Sequence, residues 1–152
     1  MNLFISMLMV LFISNPFNTS DMAPETTTQK TEIVIEGNDQ MRFNLSEIKV
    51  KAGETVTLTL KHTGKLPKAA MGHNWVLLAA GTDVKTFATE AMKARDNEYI
   101  PEGSEQILAY TALIGGGEET TIEFTVSEAG EYDFICSFPG HYALMKGKLI
   151  VE

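Results

Sequence analysis

Between Thr55 and Leu60 the chain reads TVTLTL, with Val56, Leu58 and Leu60 on one parity and threonines on the other. TTIEFTV (120–126) repeats the device with Ile122, Phe124 and Val126. A period of two belongs to strands with one face in a core and one in water, and it predicts antiparallel sheet. The same reading predicts strands at 31–36, 44–51, 73–79, 106–114, 131–137 and 146–151. Turn-forming clusters separate them: AGE (52–54), TGK (63–65), GGGEE (115–119) and EAGE (128–131). About eight short strands so punctuated predict an all-β sandwich with Greek-key connections. One stretch departs from the pattern. TDVKTFATEAMKARD (82–96) places Val84, Phe87, Ala91 and Met92 at helical spacing, with Thr82 or Asp83 as N-cap, and predicts one inserted helix.

Parity also orients two chemically interesting positions. In EYDFICSF (131–138), Tyr132, Phe134 and Cys136 share a face, so Cys136 should point inward at a strand end. In GHNWVLL (72–78), His73 shares a face with Trp75 and Leu77, which marks that face as internal too.

The first twenty residues follow another rule. LFISMLMVLFIS (3–14) carries no charge, and the first charged side chain is Asp21. Its length suits the apolar region of an export signal and is short for a membrane span. It lacks a preceding Lys or Arg and a clear small-x-small cleavage site. Residues 1–20 are therefore expected to be a signal peptide or a retained N-terminal anchor, which would be the only reason for membrane association. Residues 21–30, polar and without apolar periodicity, are expected to be a linker, and 31–152 the folded domain.

Charge removes one class of function. Twelve basic against twenty acidic side chains leave a net charge of −8, the wrong sign for a phosphate backbone, so no nucleic-acid partner is expected. Cysteine count narrows the rest. A single Cys, Cys136, forms no internal disulfide, and an exported thiol is buried, paired with another chain, or bound to a metal.

Its neighbourhood selects among these. CSFPGHYALM (136–145) contains Cys136, His141 and Met145 as C-x4-H-x3-M between the last two predicted strands. Taken singly, Cys136 reads as a core thiol, His141 as a loop histidine and Met145 as a gap-filler. Together they are thiolate, imidazole and thioether, a donor set suited to copper, and His73 supplies a second imidazole. Two histidines and a thiolate in a trigonal plane, with a weak axial methionine, describe a blue-copper electron-transfer site. Zinc fits less well, because thioether is a poor zinc ligand and no further Cys or His stands nearby. Cys–His nucleophilic catalysis lacks an orienting group and an oxyanion helix.

The residues also resemble a known family. EGNDQMRFN (36–44), LPKAAMGHNWVL (66–77), LIGGGEE (113–119) and CSFPGHYALMKGKL (136–149) are similar, in order, to segments of azurins, bacterial members of the cupredoxins. The resemblance covers 31–152 and implies the cupredoxin-like sandwich with one type 1 copper, cycling between Cu(I) and Cu(II). It implies His73, Cys136 and His141 as equatorial ligands, Met145 as axial ligand, and the Gly72 carbonyl as a weak contact opposite. It implies that Asn74 ties the two ligand loops, and that the N–H groups of Asn74 and Phe138 donate to the thiolate. It places His62 close to the copper but unbound. Met41, Leu66, Met71, Met92, Phe138 and Pro139 match positions around the solvent edge of the loop histidine, an apolar patch for brief docking. The implied partners are redox proteins of the cytochrome or copper-enzyme type, met in the periplasm. One departure stands out: azurins usually carry a disulfide near the start of the domain, and KVKAGETV (49–56) replaces the cysteine-bearing segment with a glycine turn.

The expected function is thus single-electron transfer outside the cytoplasm, with no enzymatic activity. The alternative is a copper carrier or storage protein, although the spare methionines are scattered rather than clustered. An oxidase domain would need more histidines than His62 alone.

Overall fold

The structure, a computed structural model, describes residues 30–152. The expectations for residues 1–29, signal or anchor and most of the linker, lie outside that range. Nine strands appear: β1 Lys30–Asn38, β2 Arg42–Phe43, β3 Glu47–Val50, β4 Thr55–His62, β5 Val76–Leu78, β6 Ile107–Tyr110, β7 Glu119–Thr125, β8 Gly130–Ile135 and β9 Lys146–Val151. They form a four-stranded sheet, β2-β1-β4-β7, and a five-stranded sheet, β3-β9-β8-β5-β6.

The alternation read from sequence is what joins the two sheets. Val56, Leu58 and Leu60 are fully buried between them, against Trp75, Leu77, Phe134 and Leu149 from the facing sheet. Ile122, Phe124 and Val126 pack against the same core from its margin. Each fully buried side chain of this size contributes about 1.5–3 kcal/mol.

Two expectations need correction. The sheets are mixed rather than antiparallel, because β1 runs parallel to β4 and β3 parallel to β9. The crossover explains it: β3 leaves for the other sheet, so β4 returns beside β1 in the same direction. The strand expected over 73–79 is only Val76–Leu78, since Trp75's N–H bonds the Thr111 hydroxyl rather than a strand partner.

The helical stretch resolves into α2, Val84–Ala91, capped by Asp83, whose carboxylate accepts the Thr86 N–H at 2.7 Å. A short α1, Lys68–Met71, was not foreseen, being a single turn after Pro67. Phe87, Ala88 and Ala91 of α2 cover the outer face of the five-stranded sheet at Val76, Leu78 and Ile135. Strand β5 is consequently buried on both faces, which is why VLL shows no alternation. Tyr142, from the loop between β8 and β9, packs against this second cluster.

Candidate metal centre

Backbone hydrogen bonds fix the main chain at His73 and Cys136. His73 follows α1 and exchanges both backbone bonds with Ile114, at 2.9 and 2.8 Å. Cys136 sits one residue past β8 and donates its N–H to the Met145 carbonyl at 2.9 Å. Between them, Pro139-Gly140 turns the chain, with Gly140 in the left-handed region at φ 83°. The His141 N–H then bonds the Phe138 carbonyl at 3.0 Å, and the Met145 N–H bonds the His141 carbonyl at 2.8 Å. Ten residues thus close on themselves and deliver a thiol, an imidazole and a thioether from one loop.

His73, Cys136 and His141 each offer one ligand atom, all within 4.8 Å of one another. Cys136 Sγ lies 3.5 Å from His141 Nδ1 and 4.0 Å from His73 Nδ1. A cation bonded at roughly 2.0–2.3 Å to three trigonal donors holds them about 3.5–4 Å apart, so the donors fit a single ion. The His73 tautomer agrees: Nε2 lies 2.9 Å from the Asn38 carbonyl, which can only accept, so Nε2 carries the proton and Nδ1 keeps its lone pair. Asn38 had given no sequence signal, because a main-chain carbonyl can come from any residue.

Burial favours the neutral form of each donor, which is the metal-binding form of the two imidazoles but not of the thiol. His73, Cys136 and Met145 are fully buried, and His141 is 3% exposed. Burial pushes the Cys136 thiol up to about 12, while N–H groups of Asn74 and Phe138, hydrogen-bonded to the sulfur, act the other way. Burial, with the neighbouring His73 and His62, lowers His141 to about 4, and burial also lowers His73. At neutral pH both imidazoles are therefore neutral, and only the thiol must lose a proton to a metal.

The Gly72 carbonyl stands 3.9 Å from the Cys136 sulfur. Asn74 ties the two ligand loops: its Oδ1 accepts the Ser137 N–H at 2.9 Å and its Nδ2 donates to Ser137 Oγ at 2.8 Å. His62 is buried, its ring stacked on that of His73 with centroids 4.2 Å apart. His62 Nδ1 accepts the Gly64 N–H, so Nε2 donates to the Met71 carbonyl at 2.8 Å. Of the residues expected to rim a docking patch, Leu66 and Met92 are exposed, whereas Met41, Met71, Phe138 and Pro139 are half-buried.

Sequence reasoning missed Gly37 and Leu144. A Cβ at Gly37 would stand 2.8 Å from His73 Cδ2 and 3.2 Å from the Met145 methyl, so this glycine leaves room for two donors. Leu144, next to Met145, is among the most exposed apolar side chains of the described residues. No periodicity in the sequence marks either position.

A sandwich of this topology with a buried His-Cys-His donor set is a type 1 copper protein. Residues 29–152 match the family of copper binding proteins described as plastocyanin/azurin, and the chain belongs to that family. It is 49% identical to an azurin of Alcaligenes faecalis over 123 residues, 78% of this chain and 95% of that protein. It is 47% identical to an azurin of Pseudomonas denitrificans with the same coverage. Among solved structures, an azurin of the methylotroph Methylomonas sp. strain J superposes with a TM-score of 0.73 at 36% identity, covering 80% of this chain and 98% of that one. Auracyanin A, a "blue" copper protein of Chloroflexus aurantiacus, gives 0.74 at 33% identity, covering 81% and 99%. The cofactor is one copper, and the function is electron transfer.

Proposed function

We propose that residues 31–152 shuttle single electrons between redox proteins of the cytochrome or copper-enzyme type in the periplasm. In this reading His73, Cys136 and His141 would hold the copper, with the Met145 thioether and the Gly72 carbonyl as weaker contacts. The observation that carries it is the convergence of three buried donor atoms within 4.8 Å, with the His73 proton committed to Asn38. Copper held there supplies a one-electron couple. Cys136, His73 and His141 hold their positions through backbone bonds that need no metal, so little has to move when charge changes. The N–H groups of Asn74 and Phe138 stabilise negative charge on the sulfur and so tune the potential.

The loop side chain of His141 is the electron's route to the surface, and Met41, Leu66, Met71, Met92, Phe138 and Pro139 form the apolar rim where a partner docks briefly. No bond of a partner is made or broken, so the protein is not an enzyme. Residues 1–20 direct export, and if retained they tether the domain through the 21–30 linker. Among residues 30–152 no helix is long and apolar enough to cross a membrane.

The test is Cu(II) added to purified apoprotein. An intense blue band with reversible one-electron voltammetry is expected; a colourless complex, or copper that cannot be cycled, overturns the reading. Met145→Leu should stay blue with a raised potential, because a donor to Cu(II) is gone. Complete loss of copper binding would contradict the axial role.

A further inference from the structure

Outside the ligand loops, one short segment of the described residues carries two consecutive non-glycine residues at positive φ. After a 3-10 turn at Arg95–Asn97, Glu98 and Tyr99 adopt φ values of 53° and 64°. Two consecutive non-glycine residues in the left-handed region are costly, and they persist only where their surroundings over-determine them. Here the surroundings are the metal site's own supports. The Glu98 carbonyl accepts Asn74 Nδ2 at 3.3 Å, and the Tyr99 carbonyl accepts Ser137 Oγ at 2.9 Å.

The hydrogen-bond inventory shows how closely this is specified. Asn74 Nδ2 has two protons, one for Ser137 Oγ and one for the Glu98 carbonyl. Ser137 Oγ accepts from Asn74, so its single proton goes to the nearer acceptor, the Tyr99 carbonyl at 2.9 Å rather than Asn74 Oδ1 at 3.2 Å. If Glu98 and Tyr99 relaxed to right-handed backbone, both carbonyls would turn away. Two protons in a buried place would then lose their acceptors.

The Glu98 side chain keeps that from happening. One carboxylate oxygen accepts the Leu113 N–H at 2.9 Å, and the other pairs with Lys68 Nζ. The Tyr99 ring meets Phe138 edge-on at 5.2 Å, and Phe138 lies against the His141 imidazole at 4.7 Å. One dipeptide therefore touches the loop before His73, the residue after Cys136, and the aromatic that packs on His141.

We propose that Glu98 and Tyr99 form a strap that fixes the spacing of the His73 loop and the Cys136–His141 loop, with Glu98 as a positioning residue for the copper site. This rests on the copper reading above, but part of its test does not. Lys68 and Glu98 are both well exposed at their side chains, 46% and 42%, so the ion pair itself is the weaker anchor and the Leu113 bond the stronger.

The experiment compares Glu98→Ala, Glu98→Gln and Lys68→Met with wild type. In apoprotein, Glu98→Ala should speed amide exchange of Leu113 and Ser137 by at least about tenfold, the effect of losing roughly 1.4 kcal/mol of local protection, while Leu58 in β4 is unchanged. In copper-loaded protein it should change the ratio of visible bands, shift the potential and raise the copper off-rate severalfold. Glu98→Gln keeps an acceptor for Leu113 and should restore most of the wild-type behaviour, and Lys68→Met should do little. If Glu98→Ala leaves Ser137 exchange, spectrum and potential unchanged, the segment is only a clamp on Leu113 and the proposal fails. If Gln is as damaging as Ala, and Lys68→Met equals both, the ion pair is the whole effect and the strap assignment fails. Failure of wild type to turn blue would instead overturn the copper reading, leaving the apoprotein exchange result to judge the strap alone.

Discussion

The two ends of the sandwich are held together differently. At the metal end, His62, His73, Asn74, Thr111, Ser137 and His141 are buried polar residues; His62, His73 and Thr111 are each hydrogen-bonded to main chain, and Asn74 and Ser137 to one another. At the opposite end, where β1 begins beside β4, Glu54 carries the closure on a half-open surface. Its carboxylate accepts from the Thr31 hydroxyl and, at 3.1 Å, from the Lys51 N–H. The contrast has a physical basis. A buried polar network is costly to leave incomplete and so holds one geometry, whereas a solvent-exposed contact is readily replaced by water. The metal end needs the first kind of support because its donors must stay within a few tenths of an ångström. The far end contributes nothing to the donor set, and a carboxylate bridge and a glycine turn occupy the segment that in the resembling azurins usually carries a cysteine.

The comparison breaks most completely at the thiol. Cys136→Ser should abolish the intense visible band and weaken copper binding by at least about tenfold while the domain stays folded. A blue mutant would remove Cys136 from the ligand set.

Acid titration of the apoprotein tests whether the metal end is held by burial. His141 is lowered in the folded state, so the unfolded chain binds the extra proton first, and stability is complete above about pH 6.5 and lost as pH falls towards 4. The loss on this account is on the order of 3 kcal/mol. The thiol gives the opposite edge. It is raised in the folded state, so its contribution is present below pH 9 and lost as pH climbs towards 12. Thermal unfolding of apoprotein across this range should show both slopes, and His141→Gln should flatten the acid one. Copper loading at pH 7 should release about one proton, measurable in lightly buffered solution.

Packing at the metal end can be probed without touching a donor. Gly37→Ala puts a methyl 2.8 Å from the His73 ring, and overpacking of this kind costs about 1–3 kcal/mol. Because Met145 is the second neighbour, the visible spectrum should shift as well. A destabilised mutant with an unchanged spectrum would mean that the ligands are braced against movement from that side.

The smallest effect is expected at the far end. Glu54→Ala should lower Tm by no more than a few degrees, with no change in spectrum or potential. Reductants that leave copper in place should not alter unfolding, since the single cysteine forms no internal bridge. A spectral change in Glu54→Ala would show that the two ends are coupled after all.

Much of this was open to reading from the chain alone, for a local reason. Alternation in TVTLTL determines which side of β4 is buried, since side chains leave a strand on alternate faces. Asp83 caps α2 through a residue three positions on. Cys136, His141 and Met145 lie within ten residues, so their meeting needs only one loop. His73 was legible as a donor because its parity with Trp75 aimed it inward. The rest depends on contacts between distant segments. Parallel pairing of β1 with β4, the Asn38 carbonyl on His73, the space at Gly37 and the left-handed Glu98–Tyr99 dipeptide leave no periodic trace. Sequence determined which donors were available and which faces they sit on, because those follow from composition and strand period. Only the tertiary structure decided how far apart the donors stand and which carbonyls orient them, because those are set where non-adjacent backbones pack against one another.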